Sequence, residues 1–188
     1  MWASNIETEF KVLWVWHKEI EQNLFELWAK KIFDWVLTAI FYGQNTIIDG
    51  QEKYIEIRVR SDWDIVIVEN KKQIFWNGNW KVMQEAWFET KSMDDVCKFF
   101  ESIWFNKIRQ SIKQRVSYLI NNNNESIQFD FDKYSDLDWM ETDEFLEIEW
   151  NEELIYEYAK KLGISEYRLL NWWAKELSDY YKQQQWKI

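Results

Sequence analysis

Proline is absent from this 188-residue chain, glycine occurs only four times, and cysteine and histidine occur once each. A single cysteine excludes an internal disulfide framework and leaves no zinc-ligand spacing. Cys97, in Asp95-Val96-Cys97-Lys98-Phe99, reads as a small buried hydrophobe. The lone His17 has no serine or cysteine partner in a recognisable nucleophile motif, and no P-loop is present. No apolar run is long enough to cross a bilayer, and the opening residues MWASNIETEF lack a basic start followed by an apolar stretch. A cytoplasmic protein that engages no membrane is expected. Net basic charge is missing too. A formal charge of −10 argues against a general nucleic-acid or acidic-membrane binder, so any basic function must be local. The missing proline, beside the Asn121-Asn122-Asn123-Asn124 run, suits an AT-rich gene and carries no functional reading.

Against four glycines stand 15 tryptophans. Many occupy places where glycine chemistry is expected. Trp28 and Trp104 fall at expected helix ends, Trp63 falls at a hairpin turn, and Trp150 lies between a strand and a helix. Pooling the two residue types restores an ordinary glycine share of about 7% with a little tryptophan left over. This predicts that many of these positions are UGA codons that the host reads as glycine. The competing reading, a tryptophan-rich surface for carbohydrate or partner binding, calls for one stripe, and the tryptophans scatter over turns and caps instead.

Hydrophobic residues make up 47% of the chain, enough for one domain with a real core. Period-two alternation predicts strands over 5–14, 33–42, 54–60, 64–71, 82–90, 108–120, 126–132 and 144–149. Helical periodicity predicts helices over 18–31, over 93–103 with Ser92 as the cap, and over 151–162 and 165–184. The stretch 133–143 reads as an acidic loop. Eight strands with few helices indicate a β-rich α+β domain.

The strands carry charged residues in same-face pairs. Glu7 and Glu9 share a face on the first strand, and Glu147 and Glu149 share one on the last. Carboxylates two positions apart on a strand lie about 7 Å apart at their backbones, within reach of one hard cation. Arg58 with Arg60, Glu69 with Lys71, Lys113 with Arg115, Glu85 with Glu89, and Asp130 with Asp132 repeat the pattern. For any one pair a wet sheet face is the plainer account. As a set they are sorted: the basic pairs lie on middle strands, and the pairs of the first and last strands are purely acidic. Closure into an eight-stranded barrel would bring the terminal acids together and line the interior with Lys11, Arg58, Arg60, Lys71, Lys113 and Arg115. Such cations grip phosphate oxygens, and Mg²⁺ or Mn²⁺ on Glu7, Glu9, Glu147 and Glu149 would complete a polyphosphate site.

Glu7-x-Glu9-x-Lys11 resembles the ExExK signature of the CYTH superfamily, the triphosphate tunnel metalloenzymes, which include class IV adenylyl cyclases, thiamine triphosphatases and inorganic triphosphatases. The resemblance continues through Arg58-x-Arg60, Lys71, Glu85, Lys113-x-Arg115, Asp130 and Glu147-x-Glu149. It implies one domain over 1–188, with an eight-stranded antiparallel tunnel at about 4–150 and outer helices at about 151–186. It also implies Glu7, Glu9, Glu147 and Glu149 as metal ligands and the six cations as phosphate binders. Lys11, Glu7 and Glu9 would be catalytic, with Glu69, Glu85 and Asp130 as further candidates. The expected substrate is a small triphosphate: inorganic, thiamine or nucleoside triphosphate. Hydrolysis is the first reading and adenylyl cyclisation the second. A silent triphosphate-binding module is a third, which the paired acids at both ends disfavour. A homodimer is compatible with the pattern.

Overall fold

The alternation is realised as eight antiparallel strands: β1 (Ala3–Val12), β2 (Lys30–Ile48), β3 (Gln51–Asp62), β4 (Ile65–Trp76), β5 (Lys81–Thr90), β6 (Asn106–Asn122), β7 (Glu125–Leu137) and β8 (Phe145–Trp150). The computed structural model describes residues 3–62, 64–76, 81–122, 125–137, 141–150, 152–172 and 174–185. Within these, the side chains of 3–7, 62, 73–76, 81–83, 122, 125, 167, 174 and 185 fall outside the described set. The strands close into a barrel in the order β1-β5-β4-β3-β2-β6-β7-β8. The seam is antiparallel pairing of β1 with β8, from Thr8↔Trp150 to Val12↔Leu146. An α+β fold built on an eight-stranded antiparallel barrel is therefore what the sequence forms.

The barrel is polar inside and apolar outside. Phe10, Val12, Tyr118, Phe129, Leu146 and Ile148 alternate with the charged positions and point outward into the main core. There they meet helices α1 (His17–Glu26) and α3 (Glu152–Lys161) through Ile20, Leu24, Ile155 and Ala159. Burial of these faces by the hydrophobic effect holds the helices to the wall. Helix α2 (Met93–Ser102) packs Phe100 against Tyr42, Val59, Val66 and Val68 on the opposite side. Its cap is as expected: the Ser92 side chain accepts from the Asp95 backbone N–H at 3.2 Å.

One expected helix is interrupted. In place of a continuous helix over 165–184 there is a 3₁₀ turn (Glu166–Arg168), an extended stretch, and then α4 (Ala174–Gln185). The cause lies on the barrel edge. Leu170 exchanges both backbone hydrogen bonds with Lys11, at 2.7 and 2.8 Å, and Arg168 donates to the Leu13 carbonyl at 2.8 Å. Extended backbone there satisfies the free end of β1, which a helix could not do. Leu177 and Tyr181 of α4 pack on Leu13, Tyr134, Leu137 and Phe145. Phe145 shares the inward face of Glu147 and Glu149, so α4 covers one end of the tunnel. The stretch 133–143 is likewise not wholly a loop, because β7 pairs with β6 as far as Ser111↔Leu137.

Helices α1, α2 and α3 end in the same hydrogen-bonded motif. After α1, Trp28 N–H donates to Phe25 O at 3.0 Å and Ala29 N–H to Leu24 O at 2.9 Å. After α2, Trp104 and Phe105 make the equivalent bonds to Glu101 and Phe100, and after α3 Gly163 and Ile164 make them to Lys160 and Ala159. The pivot residue is left-handed in each: φ is 64° at Trp28, 73° at Trp104 and 72° at Gly163. Trp150 differs, lying extended at the end of β8 with its ring against the main core.

Candidate active site

Register decides which charges meet. Across the β1–β8 seam Glu9 faces Glu149 and Lys11 faces Glu147. On the next pair Asp130 faces Glu147, and on the one after it Arg115 faces Asp132. On the far wall Arg58 faces Glu69 and Lys71 faces Glu85. The expected inward residues thus share one lumen. The Glu7 backbone lies in β1, paired with Met83, and its side chain lies outside the described residues.

Ion pairs fill the lumen. Lys11 pairs with Glu9 and lies 2.8 Å from Glu147 Oε1. Arg115 forks onto Asp132 at 2.7 and 2.6 Å, reaches Glu147 Oε2 at 2.6 Å and pairs with Asp130. Lys113 pairs with Asp132, Arg58 with Glu69, and Lys71 with Glu85. Asp130 and Asp132 have no exposed surface, and Lys11, Glu69 and Glu147 are 4 to 5% exposed. Buried charges persist at this density only when every one is compensated.

The shifts follow that compensation. Burial by itself lowers the Lys11 pKa, but the Glu147 and Glu9 carboxylates outweigh it and hold the ammonium well above its ordinary value. Burial raises Glu147, and Lys11, Lys113 and Arg115 overcome this to hold it well below the carboxylate range. Glu69 is brought down to about 2, its burial overridden by Arg58, Arg60 and Lys71. At Asp132 burial prevails: the carboxyl is shifted up against the pull of Arg115 and Lys113, with Glu147 adding to the rise.

Glu9, Glu147 and Glu149 each offer one carboxylate oxygen, and the three oxygens lie within 4.8 Å of one another. An all-oxygen, anionic set of this span fits a hard divalent cation such as Mg²⁺ or Mn²⁺. They border a cavity of about 350 Å³ that is also lined by Arg58, Arg60, Lys71 and Arg115. The Arg60 Nε is buried and has no hydrogen-bond partner among the described residues; its nearest carboxylate oxygen, from Glu69, is 3.8 Å away. That is a donor waiting for an acceptor.

β3 and β4 pair only from Arg58↔Glu69 to Asp62↔Ile65 and then diverge, with the Asn70 side chain donating to the Glu56 carbonyl at 2.7 Å in the fork. A wider cavity of about 1090 Å³ opens there, lined by Lys53, Tyr54, Lys72 and Arg109 and by Lys175 and Lys182 of α4. Lys71 borders both spaces.

Two residues of the lumen were not assigned roles from sequence. Asp132 carried a usable signal, the shared face with Asp130. Tyr134 fell in the expected loop; it lies 5.4 Å beneath the Lys113 ammonium, which sits over its ring. His17 lies outside the lumen, stacked on Phe131 at 3.9 Å with Nδ1 3.0 Å from Glu144. Cys97 packs beside the α2 cluster as a small hydrophobe.

No protein-family model matches the chain, and no curated protein matches it. Solved structures do. The PH1012 protein of Pyrococcus horikoshii is 17% identical, with 91% of this chain and 98% of that one covered and a TM-score of 0.65. A candidate adenylate cyclase of Vibrio parahaemolyticus is 17% identical, covering 93% and 98%, with a TM-score of 0.65. An adenylyl cyclase candidate of Hippeastrum, described as having a dominant triphosphatase activity, is 12% identical, covering 85% and 88%, with a TM-score of 0.51. At these identities the likeness is one of fold. None of the helices among the described residues is long and apolar enough to cross a membrane.

Proposed function

We propose that this chain is a divalent-metal-dependent enzyme of the CYTH type, one domain over 1–188, that hydrolyses a triphosphate bound in the barrel lumen. The observation that carries the reading is the convergence of Arg58, Arg60, Lys71 and Arg115 with the Glu9–Glu147–Glu149 carboxylates on one cavity, with Lys11 and Lys113 paired to Glu147 and Asp132 beside it. The fold likeness to proteins named for adenylate cyclase and triphosphatase activity supports it.

In this reading Lys11, Arg58, Arg60, Lys71, Lys113 and Arg115 hold the phosphoryl oxygens. The two guanidiniums of β3 act as forks and the lysines as point charges. Asp132, gripped by both Lys113 and Arg115, fixes their direction. Glu9, Glu147 and Glu149, with Glu7 as a further ligand, would hold Mg²⁺ or Mn²⁺, which when bound supplies neutralisation of charge on the transferred phosphoryl group. Glu69 and Glu85 keep Arg58 and Lys71 in place until phosphate replaces them. Water attack on the terminal phosphorus then releases orthophosphate.

The 1090 Å³ cavity beside Lys71 favours one second reading, because it is roomy enough for a nucleoside. There the ribose 3′-hydroxyl of ATP would attack the α-phosphorus and pyrophosphate would leave. Incubation with tripolyphosphate, thiamine triphosphate and ATP under Mg²⁺ or Mn²⁺, with orthophosphate and cyclic AMP resolved, tests both readings. Orthophosphate is expected, and cyclic AMP with pyrophosphate would replace the first reading by the second.

A further inference from the structure

Lys11 holds two of the three carboxylates that would take the metal. Its ammonium pairs with Glu9, two residues back on the same face of β1, and lies 2.8 Å from Glu147 Oε1. The ammonium is thereby held against these two carboxylates, with Lys11 only 4% exposed. Glu147 is divided between two duties: Oε2 is anchored by Arg115 at 2.6 Å, and Oε1 faces Lys11. A divalent ion entering between Glu9, Glu147 and Glu149 competes with Lys11 for the Glu9 and Glu147 carboxylates, and an ammonium and a dication repel at such range. We propose that Lys11 is a built-in placeholder for the metal, displaced into the lumen when a divalent cation binds and thereby freed to take a phosphate oxygen. The proposal rests on the metal-dependent triphosphate reading above, and it makes metal entry and anion capture mutually favourable.

Single-ligand titrations of chelator-stripped protein separate the two halves. Mn²⁺ binding is followed by the electron paramagnetic resonance of the free ion with no phosphate present, and tripolyphosphate binding is followed by calorimetry with no metal present. Lys11→Gln is expected to bind Mn²⁺ about tenfold more tightly than the unaltered chain and tripolyphosphate about tenfold more weakly, the scale of one charge-assisted hydrogen bond. Lys11→Met, which keeps the aliphatic stem, gives the same pair of changes if the glutamine variant fails to fold. Arg58→Gln removes the same charge from the same lumen but leaves the carboxylate triad untouched, so its gain in Mn²⁺ affinity stays below about threefold. Weaker or unchanged Mn²⁺ binding by the Lys11 variants, an equal gain in Arg58→Gln, or no Mn²⁺ binding by any of these proteins overturns the placeholder. Failure of the unaltered protein to bind tripolyphosphate overturns the proposed function and leaves the Mn²⁺ comparison standing.

A second inference rests on the backbone alone. Among the described residues, four non-glycines have positive φ: Trp14 at 52°, Trp28 at 64°, Asp49 at 53° and Trp104 at 73°. Aspartate tolerates that region, whereas a bulky residue strains there by about 1–2 kcal/mol. Three tryptophans thus hold glycine's conformation, two of them in the helix-ending motif that Gly163 completes after α3. The Trp28 and Trp104 rings gain little in return, being 88 and 80% exposed. We infer that the natural chain carries glycine at positions 28 and 104, decoded from UGA, and that these rings form no docking surface. Trp14 and Trp172 are different, with rings 5.8 and 5.5 Å from that of Tyr180. Tandem mass spectrometry of the protein from its native host is expected to read glycine at 28 and 104 and tryptophan at 172. Tryptophan at 28 and 104 overturns the inference.

Discussion

Replacing Trp28 and Trp104 by glycine in the chain as written should stabilise it, although both changes delete a large apolar side chain. Each tryptophan sits at φ near 70°, where an L-residue is strained by about 1–2 kcal/mol. Glycine removes that strain but adds conformational freedom to the unfolded chain, an opposing effect of about 0.5–1 kcal/mol. Lost burial is a minor correction, because the rings are 88 and 80% exposed. The net is about 0.5–1 kcal/mol per site. Since α1 packs on the main core and α2 on a separate cluster, the two gains should add. For a chain of this size about 1–2 kcal/mol raises the melting temperature by roughly 2–8 °C. Thermal and urea unfolding of the single and double variants measure it, with Gly163→Trp as the mirror experiment that introduces the same strain after α3. A double variant no more stable than the parent, together with a neutral Gly163→Trp, would refute the reasoning.

Other outcomes follow from the buried charges. Despite its burial, Arg58, Arg60 and Lys71 hold the Glu69 carboxyl at about 2 in the fold, below the ordinary value of 4.5. A depressed carboxylate stabilises fully above its unfolded value and loses that contribution as pH falls, so about 3 kcal/mol should disappear between pH 4.5 and 2; in Glu69→Gln, urea midpoints over that window should fall less steeply. Arg115→Met strands Asp130, Asp132 and Glu147 without their main partner and should cost about 3–5 kcal/mol in urea unfolding, a gap that narrows in acid. Arg60→Met should weaken tripolyphosphate binding by calorimetry at a smaller stability cost in urea unfolding than Arg115→Met, because Arg60 Nε reaches Glu69 only at 3.8 Å and makes no hydrogen bond among the described residues.

The barrel was legible in the sequence because inward charges alternate with outward aliphatics, and a slip of one residue would bury every charge in the apolar layer. Sorting of acid pairs to the terminal strands foretold the seam, and Glu9↔Glu149 with Lys11↔Glu147 is that seam. Two kinds of feature were not legible. The break at 169–172 depends on Leu170 meeting the backbone of Lys11, a contact across about 160 residues with no local signal. The continuation of β7 through Tyr134 to Leu137 was hidden by the charged residues Lys133 and Asp136 around it, and it rests on backbone pairing with β6. The pairing of each cation with its carboxylate is also a product of closure, since side-chain alternation fixes the face and not the partner.

The central claim is metal-dependent triphosphate hydrolysis in the lumen, and the most direct measurement is orthophosphate release from tripolyphosphate by purified protein with Mg²⁺ or Mn²⁺, before and after chelation, alongside Glu9→Gln combined with Glu149→Gln. The account predicts turnover that chelation abolishes, that added metal restores, and that the double variant loses while staying folded. Turnover that persists without metal or in the double variant, or no orthophosphate from any triphosphate tested, would contradict it.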